Sequence, residues 1–292
     1  MWCSGLKWLF LILGTTIGAG YASGRELWQF FGRESVLAIG LFSLLFMISC
    51  FVLLKISYDF QSASYLPILK TLLGKRLTRL YDIMTIVYLF STTVIMLAGG
   101  GATLQSFYVP YWVGIGFIAM LVVFLFFWNI EGILAMNALI IPGLILLLLS
   151  ILVTYIISEY SGYSLDWQQQ SNWPSAFTFT ALNILPLVAV IAAIGSKIKH
   201  RGEIWIASAG SALILGGLSL LYNQVLVLVE NDLMFYEIPL FAILQHYPEI
   251  MGIVMTILLW FAIFTTAVSG VFGLISRFYK RFQWPWWILA LC

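Results

Sequence analysis

Residues 11–31 read LILGTTIGAGYASGRELWQFF, a run apolar enough to cross a bilayer, in which Gly14, Gly18, Gly20 and Gly24 interrupt the helix that such a crossing requires. A glycine in a helix interior costs about 1 kcal/mol relative to alanine, and hydrocarbon offers no water to the backbone groups that a break releases. Non-helical backbone at that depth is tolerated where protein buries it or where it lines a cavity. The crossing is therefore expected to come apart between Gly14 and Gly20. Carbonyls at the end of one half-helix would then face a cation, and amides at the start of the next would face an anionic group. Two plainer readings compete. Gly14 with Gly18, or Gly20 with Gly24, forms a GxxxG pair of the kind that lets membrane helices pack closely. Lys7 before an apolar run that ends in small residues near Ala19 to Ala22 is the pattern of a secretory signal. A single lysine and two tryptophans make a poor leader, however, and the chain beyond Phe31 continues in apolar runs of membrane length.

Of the 292 residues, 62% are hydrophobic and 9% charged, which excludes a water-soluble domain. A crossing takes about 20 apolar residues. The sequence divides into eight full spans, at about 5–31, 36–57, 82–107, 111–128, 133–157, 174–197, 204–229 and 250–278, with 284–292 opening a ninth that stops halfway. The whole chain, 1–292, reads as one transmembrane domain. Between spans 2 and 3, Lys70, Lys75, Arg76 and Arg79 share an amphipathic segment with leucines and isoleucines, which suits a helix on the membrane surface. Pro142-Gly143 marks a kink in span 5, and Asn183 with Pro186 marks a second break, in span 6.

Charge sets the orientation. With the N-terminus cytoplasmic, all of the fourteen Lys and Arg except Arg25 and Arg33 fall on the cytoplasmic side. Glu26, Glu34, Glu159, Asp166, Glu230, Asp232, Glu237 and Glu249 then fall outside, and tryptophans and tyrosines such as Trp8, Tyr111, Trp173 and Trp284 sit at span ends. The basic residues are scattered along span ends, so nucleic acid is not an expected partner; the lipid bilayer and a small-molecule solute are. Cys3, Cys50 and Cys292 imply no disulfide or metal framework. His200 and His246 are the only histidines, and neither an HExxH nor a GxSxG pattern occurs, so no enzyme is expected.

The sequence also echoes itself. Phe90-Ser91-Thr92-Thr93 with Gly100 downstream matches Ile263-Phe264-Thr265-Thr266 with Gly273, an offset of 173 residues that also lays span 2 over span 7 and span 1 near span 6. Repeats of five spans, about 1–158 and an incomplete 174–292, would stand in opposite orientations in the bilayer.

The wording GTTIGAGYASGRELWQFFG in span 1 resembles the opening of the YkvI-like bacterial membrane proteins, regarded as amino acid permeases of the amino acid, polyamine and organocation superfamily. The resemblance implies an all-α LeuT-like inverted-repeat bundle with spans 1 and 6 broken. It supplies no substrate, and the end at Cys292 departs from the ten-span pattern. The fold often carries a sodium site between the break of span 1 and span 8. Ala262, Thr265 and Thr266 match its small-residue, two-gap, hydroxyl-hydroxyl pattern, and Gly14 and Ile17 take the place of its span 1 carbonyl donors. Five neutral oxygens suit a hard monovalent cation. Plain helix-to-helix bonding by the threonines is the competing reading, and proton coupling or no coupling stays open.

For a solute, the amides around Gly18, Ala19, Gly20 and Tyr21 would take an anionic group, with Thr15, Thr16 and Asn183 as further polar contacts. Arg25 and Glu26 at the outer end of span 1 read as an outer gate or as an interfacial ion pair. Asp82, Glu131 and Glu203 read as anchors at cytoplasmic span ends; no buried carboxylate that would relay protons is evident, and none of the twelve acids falls at mid-span. Together these point to a secondary transporter of a small organic solute, an amino acid first, in the bacterial inner membrane. No organic cofactor is implied; sodium is the candidate ion. The rival is a membrane ligand sensor or complex subunit that keeps the fold without net transport.

Overall fold

The computed structural model describes residues 2–33, 35–105, 107–158, 170–233, 235–236, 238–245, 247–282 and 286–291. Glu34, Glu159, Asp166, Glu237, His246, Trp284 and Cys292, on which parts of the charge and end-of-chain reading rest, lie outside the described residues. The described regular structure is helical. In chain order it comprises α1 (Trp2–Thr16), α2 (Ala19–Ala22), α3 (Arg25–Phe31), α4 (Val36–Asp59), α5 (Tyr65–Gln105), α6 (Tyr111–Leu125), α7 (Asn129–Ser158), α8 (Ser175–Ile194), α9 (Arg201–Leu228), α10 (Glu230–Leu233), α11 (Pro239–Leu244), α12 (Glu249–Phe282) and α13 (Trp286–Leu291).

Six stretches among the described residues are long and apolar enough to cross a membrane: Val36–Asp59, Tyr65–Gln105, Tyr111–Ser158, Ser175–Lys197, Arg201–Leu228 and Glu249–Phe278. The eight full spans expected from the sequence are two more than these six. Residues 2–31, where the first of them is expected, form helices of 15, 4 and 7 residues, each too short to qualify. The stretch Tyr111–Ser158 runs through a 3-10 turn at Phe126–Trp128 into Asn129 at a φ of 54°, a left-handed conformation that ends one helix before the next begins.

The surface helix expected between spans 2 and 3 is joined to span 3 within α5, and Gly74 (φ 71°, ψ 173°) breaks the helical path between the two parts. Lys70, Lys75, Arg76 and Arg79 are all exposed. Beyond the break, Ile83, Val87, Phe90 and Val94 form an exposed apolar stripe at helical spacing, the face that hydrocarbon rather than water would cover. α7 runs unbroken through Pro142.

The second expected break is corrected by the structure. α8 is one continuous helix through Asn183 and Pro186. Pro186 has no N–H to give the carbonyl of Leu182, one turn back, and that carbonyl instead accepts the hydroxyl of Tyr88 from α5 at 3.3 Å. The borrowed donor satisfies that carbonyl, and α8, like α7 at Pro142, stays whole.

α5 packs along α12, α4 along α8 and α9, and α1 against both α9 and α7. Phe31, Phe42 and Phe179, each fully buried, interlock where α3, α4 and α8 meet, with ring centroids 4.7 to 6.0 Å apart. Two polar ties fasten the end of the bundle that carries Trp8 and Arg277. Trp8 Nε1 donates to Glu203 Oε2 at 2.9 Å, joining α1 to α9. Arg277 grips Asp82 through Nε and Nη2 at 2.7 and 2.8 Å, and Tyr65 donates to the same carboxylate at 2.7 Å, joining α12 to α5. Asp82 and Glu203 are therefore anchors that each hold a second helix, whereas Glu131 makes a 4.0 Å contact with Lys197, both side chains largely exposed.

Candidate functional site

The first crossing does come apart. α1 ends at Thr16, and Gly18 is extended (φ −95°, ψ −168°) before the four-residue α2 begins. The amide of Gly18 turns to the carbonyl of Thr16 at 3.0 Å, so the carbonyl of Gly14 loses its helical donor. Gly24 is left-handed (φ 78°), so a second corner separates α2 from α3. Among the described residues no backbone acceptor takes the amides of Ala19, Gly20 or Tyr21, and no backbone donor serves the carbonyls of Gly14, Thr15 or Ile17.

Each of the four glycines makes room for a polar side chain from a different element. A methyl group at Gly14 would overlap the carboxamide of Asn137 from α7, and one at Gly18 would lie 3.1 Å from Thr266 Oγ1 of α12. One at Gly20 would overlap the carboxylate of Glu26 from α3, and one at Gly24 would lie 2.9 Å from the ring of Tyr222 on α9. The close packing read from the GxxxG pairs is thus present. The groups that approach the backbone, though, are polar side chains.

The Gly14, Ile17 and Thr266 oxygens converge. Thr266 Oγ1 lies 3.4 Å from the carbonyl oxygen of Gly14 and 3.4 Å from that of Ile17. Those separations are long for hydroxyl hydrogen bonds, which centre near 2.7 to 2.8 Å, about 0.6 Å shorter. Thr265 Oγ1 donates to Ala262 O in its own helix at 3.0 Å, and both residues are fully buried beside Thr266.

The residues expected to meet a solute are divided by the structure. Thr15 and Thr16 are buried and donate back to Leu11 O at 2.8 Å and Ile12 O at 2.9 Å, within their own helix. Tyr21 buries its ring completely and ties its hydroxyl to Leu215 O at 3.0 Å and Ser219 Oγ at 2.8 Å. Tyr222 reciprocates with a 3.0 Å bond to Ala22 O, so α9 holds the far half of the break in place. Asn183 donates to Phe179 O of its own helix at 2.8 Å. The groups left free at the break are backbone: the amides of Ala19, Gly20 and Tyr21. α2 has four residues, so its dipole adds little to them.

Arg25 and Glu26 do not form the ion pair expected at the outer end. Arg25 is exposed and, with Trp28, Gln29, Arg33 and Glu230, lines a cavity of about 990 Å³. Across that cavity Arg33 Nε meets Glu230 Oε2 at 3.6 Å. Glu26 turns the other way. Its half-buried carboxylate lies over Gly20 and is the charge that faces Tyr21 and Tyr88, with no hydrogen-bond or ion-pair partner among the described residues. The sequence shows no mid-span carboxylate that would relay protons, yet Glu26, just beyond the left-handed Gly24, lies against the break. The fully buried carboxylate among the described residues is Glu203, 1% exposed and held by Trp8.

Asn137 was not singled out from the sequence. It is fully buried in α7, against Gly14, and neither polar atom of its side chain has a partner among the described residues. Its one visible signal is a lone carboxamide in the apolar run LAMNALII.

Solved structures share this arrangement of helices. MhsT, determined in complex with L-phenylalanine, superposes with a TM-score of 0.61 at 15% identity, over 98% of this chain and 76% of its own. Mhp1, a nucleobase-cation-symport-1 family transporter in a closed conformation with bromovinylhydantoin bound, gives 0.65 at 14% identity, over 98% and 69%. The molecule is a multi-pass membrane protein with the fold of the LeuT-type transporters. Among sequences, YyaD of Bacillus subtilis (strain 168) is 46% identical over 291 residues, covering all of this chain and 86% of YyaD. The chain belongs to the YyaD family. The membrane protein YkvI of the same organism is a more distant relative, 24% identical over 278 residues, covering 91% of this chain and 78% of YkvI. No protein-family model matches the chain.

Proposed function

We propose that this protein is a secondary active transporter of a small zwitterionic solute, an amino acid, driven by sodium through alternating access. The observation that carries the reading is the meeting of Gly14 O, Ile17 O and Thr266 Oγ1 at the break of the first crossing. Oxygens at right angles around a cation with bonds of about 2.4 Å stand about 3.4 Å apart, so the spacing that is long for a hydrogen bond is the spacing of ligands sharing an ion. No carboxylate belongs to the set, and neutral oxygens favour a monovalent over a divalent cation. Ala262 O and Thr265 Oγ1 complete it on α12, from a carbonyl and a hydroxyl already side by side.

The solute's carboxylate would be taken by the free amides of Ala19, Gly20 and Tyr21, and its ammonium by Glu26, which lies over the same glycine. Gly18 leaves room for Thr266 at the break, Gly20 for Glu26, and Thr15, Thr16 and Asn183, occupied within their own helices, shape the walls. Spans 1 to 8 are read as α1–α3, α4, the long part of α5, α6, α7, α8, α9 and α12, with α13 opening a ninth, the N-terminus in the cytoplasm of a bacterium and two repeats rocking about the break. The Trp8–Glu203 and Asp82–Arg277 ties then lie on the cytoplasmic side and must loosen for release inward. Cation binding favours the solute-accepting state only through differential affinity for the two arrangements.

The test is uptake of radiolabelled amino acids, L-phenylalanine among them, into proteoliposomes with and without an inward sodium gradient. Gradient-driven accumulation and solute-stimulated sodium entry are expected. Binding without flux under any gradient would replace the transporter by a ligand sensor.

A second prediction arises from Glu26. Glutamine at this position keeps the shape and removes an unpaired charge from a half-buried place, so Glu26→Gln is expected to stabilise the protein by about 1 kcal/mol in thermal unfolding. Uptake of a zwitterion should fall by roughly tenfold or more, the loss of one charge-assisted contact. A variant that is neither stabilised nor slowed would show that Glu26 faces water and not a solute.

A further inference from the structure

Asn137 is an unsatisfied polar residue in the middle of the bundle. Its side chain has 0% exposure, and its Oδ1 and Nδ2 both lack partners among the described residues. A buried polar atom left in that state keeps its full desolvation penalty, which a helix-packing role without any hydrogen bond does not recover. The carboxamide is directed at Gly14, so closely that a methyl group there would overlap Oδ1 and lie 2.8 Å from Cγ. Gly14 is also the residue whose carbonyl, released by the break, lies 3.4 Å from Thr266 Oγ1. An unpartnered carboxamide from α7 and a carbonyl of α1 that has lost its backbone donor therefore abut at one glycine. Because both atoms of the carboxamide are unpartnered, turning it by 180° sacrifices no hydrogen bond, and its oxygen is free to face whatever lies there.

We propose that Asn137 is a ligand of the cation held by Gly14, Ile17 and Thr266, its carboxamide oxygen extending the site from α1 and α12 onto α7. This rests on the cation reading above and adds a third helix to it. A carboxamide oxygen is hard and neutral, so it raises the coordination of a monovalent ion without adding the charge that would recruit a divalent one. It also ties ion occupancy to the position of α7 against α1, so that the ion senses how those two helices are packed.

The experiment measures binding of radiolabelled sodium to the purified full chain in lipid nanodiscs, with unlabelled sodium as competitor. Wild type is compared with Asn137→Ala and Asn137→Asp, and thermal unfolding in sodium-free buffer serves as the folding control. Asn137→Ala is expected to raise the half-saturating sodium concentration by roughly tenfold or more and to shrink the sodium-induced rise in unfolding temperature. Asn137→Asp keeps an oxygen in place and should bind sodium at least as well as wild type at high pH, with a new loss of binding as the pH falls. Wild-type affinity in Asn137→Ala overturns the ligand assignment and leaves the cation site standing. Should Asn137→Ala not fold, unchanged affinity with no new pH dependence in Asn137→Asp overturns it equally. Absence of saturable sodium binding in the wild type overturns both the cation reading and this extension of it.

Discussion

Alanine in place of Gly14 is expected to destabilise the protein by about 2 kcal/mol and to reduce uptake to background. The added methyl group would occupy the space of the Asn137 carboxamide, which is fully buried and has no exposed direction in which to withdraw. Either α7 or the end of α1 must move, and a shift of the Gly14 carbonyl separates it from Thr266. Removing the obstacle should restore the fold. The combined Gly14→Ala and Asn137→Ala chain is expected to recover most of the lost stability, with a coupling of about 1 to 3 kcal/mol between the two positions. Gly40→Ala is the control. It lies in α4, where a methyl group meets nothing within 4 Å, so it should be neutral or stabilising by up to about 1 kcal/mol. Thermal unfolding in detergent and uptake into proteoliposomes read the two effects separately. If Gly14→Ala behaves like Gly40→Ala, the close approach of α7 to the break is not what the glycine provides.

The break itself was legible because four glycines in one membrane-length run are hard to reconcile with an unbroken helix, and the carbonyls of Gly14 and Ile17 lie where such a break must fall. Span 6 carried an equally plain local signal in Asn183 and Pro186, yet its helix stays whole. Tyr88, ninety-four residues from Leu182, supplies the donor that Pro186 lacks, and no local pattern announces a partner from another helix. The contact of Glu26 was hidden for a similar reason. The sequence places it beside Arg25 at the outer end of span 1, and the approach of its carboxylate to Gly20 across the left-handed corner at Gly24 is not spelled out by any local pattern. Asn137 shows the remaining limit. One carboxamide in an apolar run does not reveal whether it finds a partner, and the informative fact, that it finds none among the described residues, exists only once the helices are packed.

Replacing Thr265 and Thr266 together by valine is expected to abolish sodium dependence while leaving the fold intact. Valine reproduces the branched shape of threonine, so the packing of α12 against α1 and α5 is kept and only two hydroxyl oxygens are lost. Thr265 donates within its own helix to Ala262, whose carbonyl also has the helix amide available, so that loss leaves no buried group stranded. Thr266 is different, because its oxygen alone faces both freed carbonyls of α1. Loss of one oxygen ligand from a charged centre is worth roughly 2 kcal/mol, which is about a thirtyfold rise in the half-saturating sodium concentration. Each single variant therefore loses one oxygen of the proposed set: Thr266→Val, which also leaves both freed carbonyls without a facing hydroxyl, should show the larger rise, Thr265→Val a smaller one, and the double variant more than either. Solute binding measured without sodium should stay at the wild-type level, since neither hydroxyl touches the amides of Ala19 to Tyr21. Solute-stimulated uptake of radiolabelled sodium into proteoliposomes decides the matter: sodium dependence that survives in the double variant removes the ion from the break, and with it the reason for Gly14 and Ile17 to hold their carbonyls open toward α12.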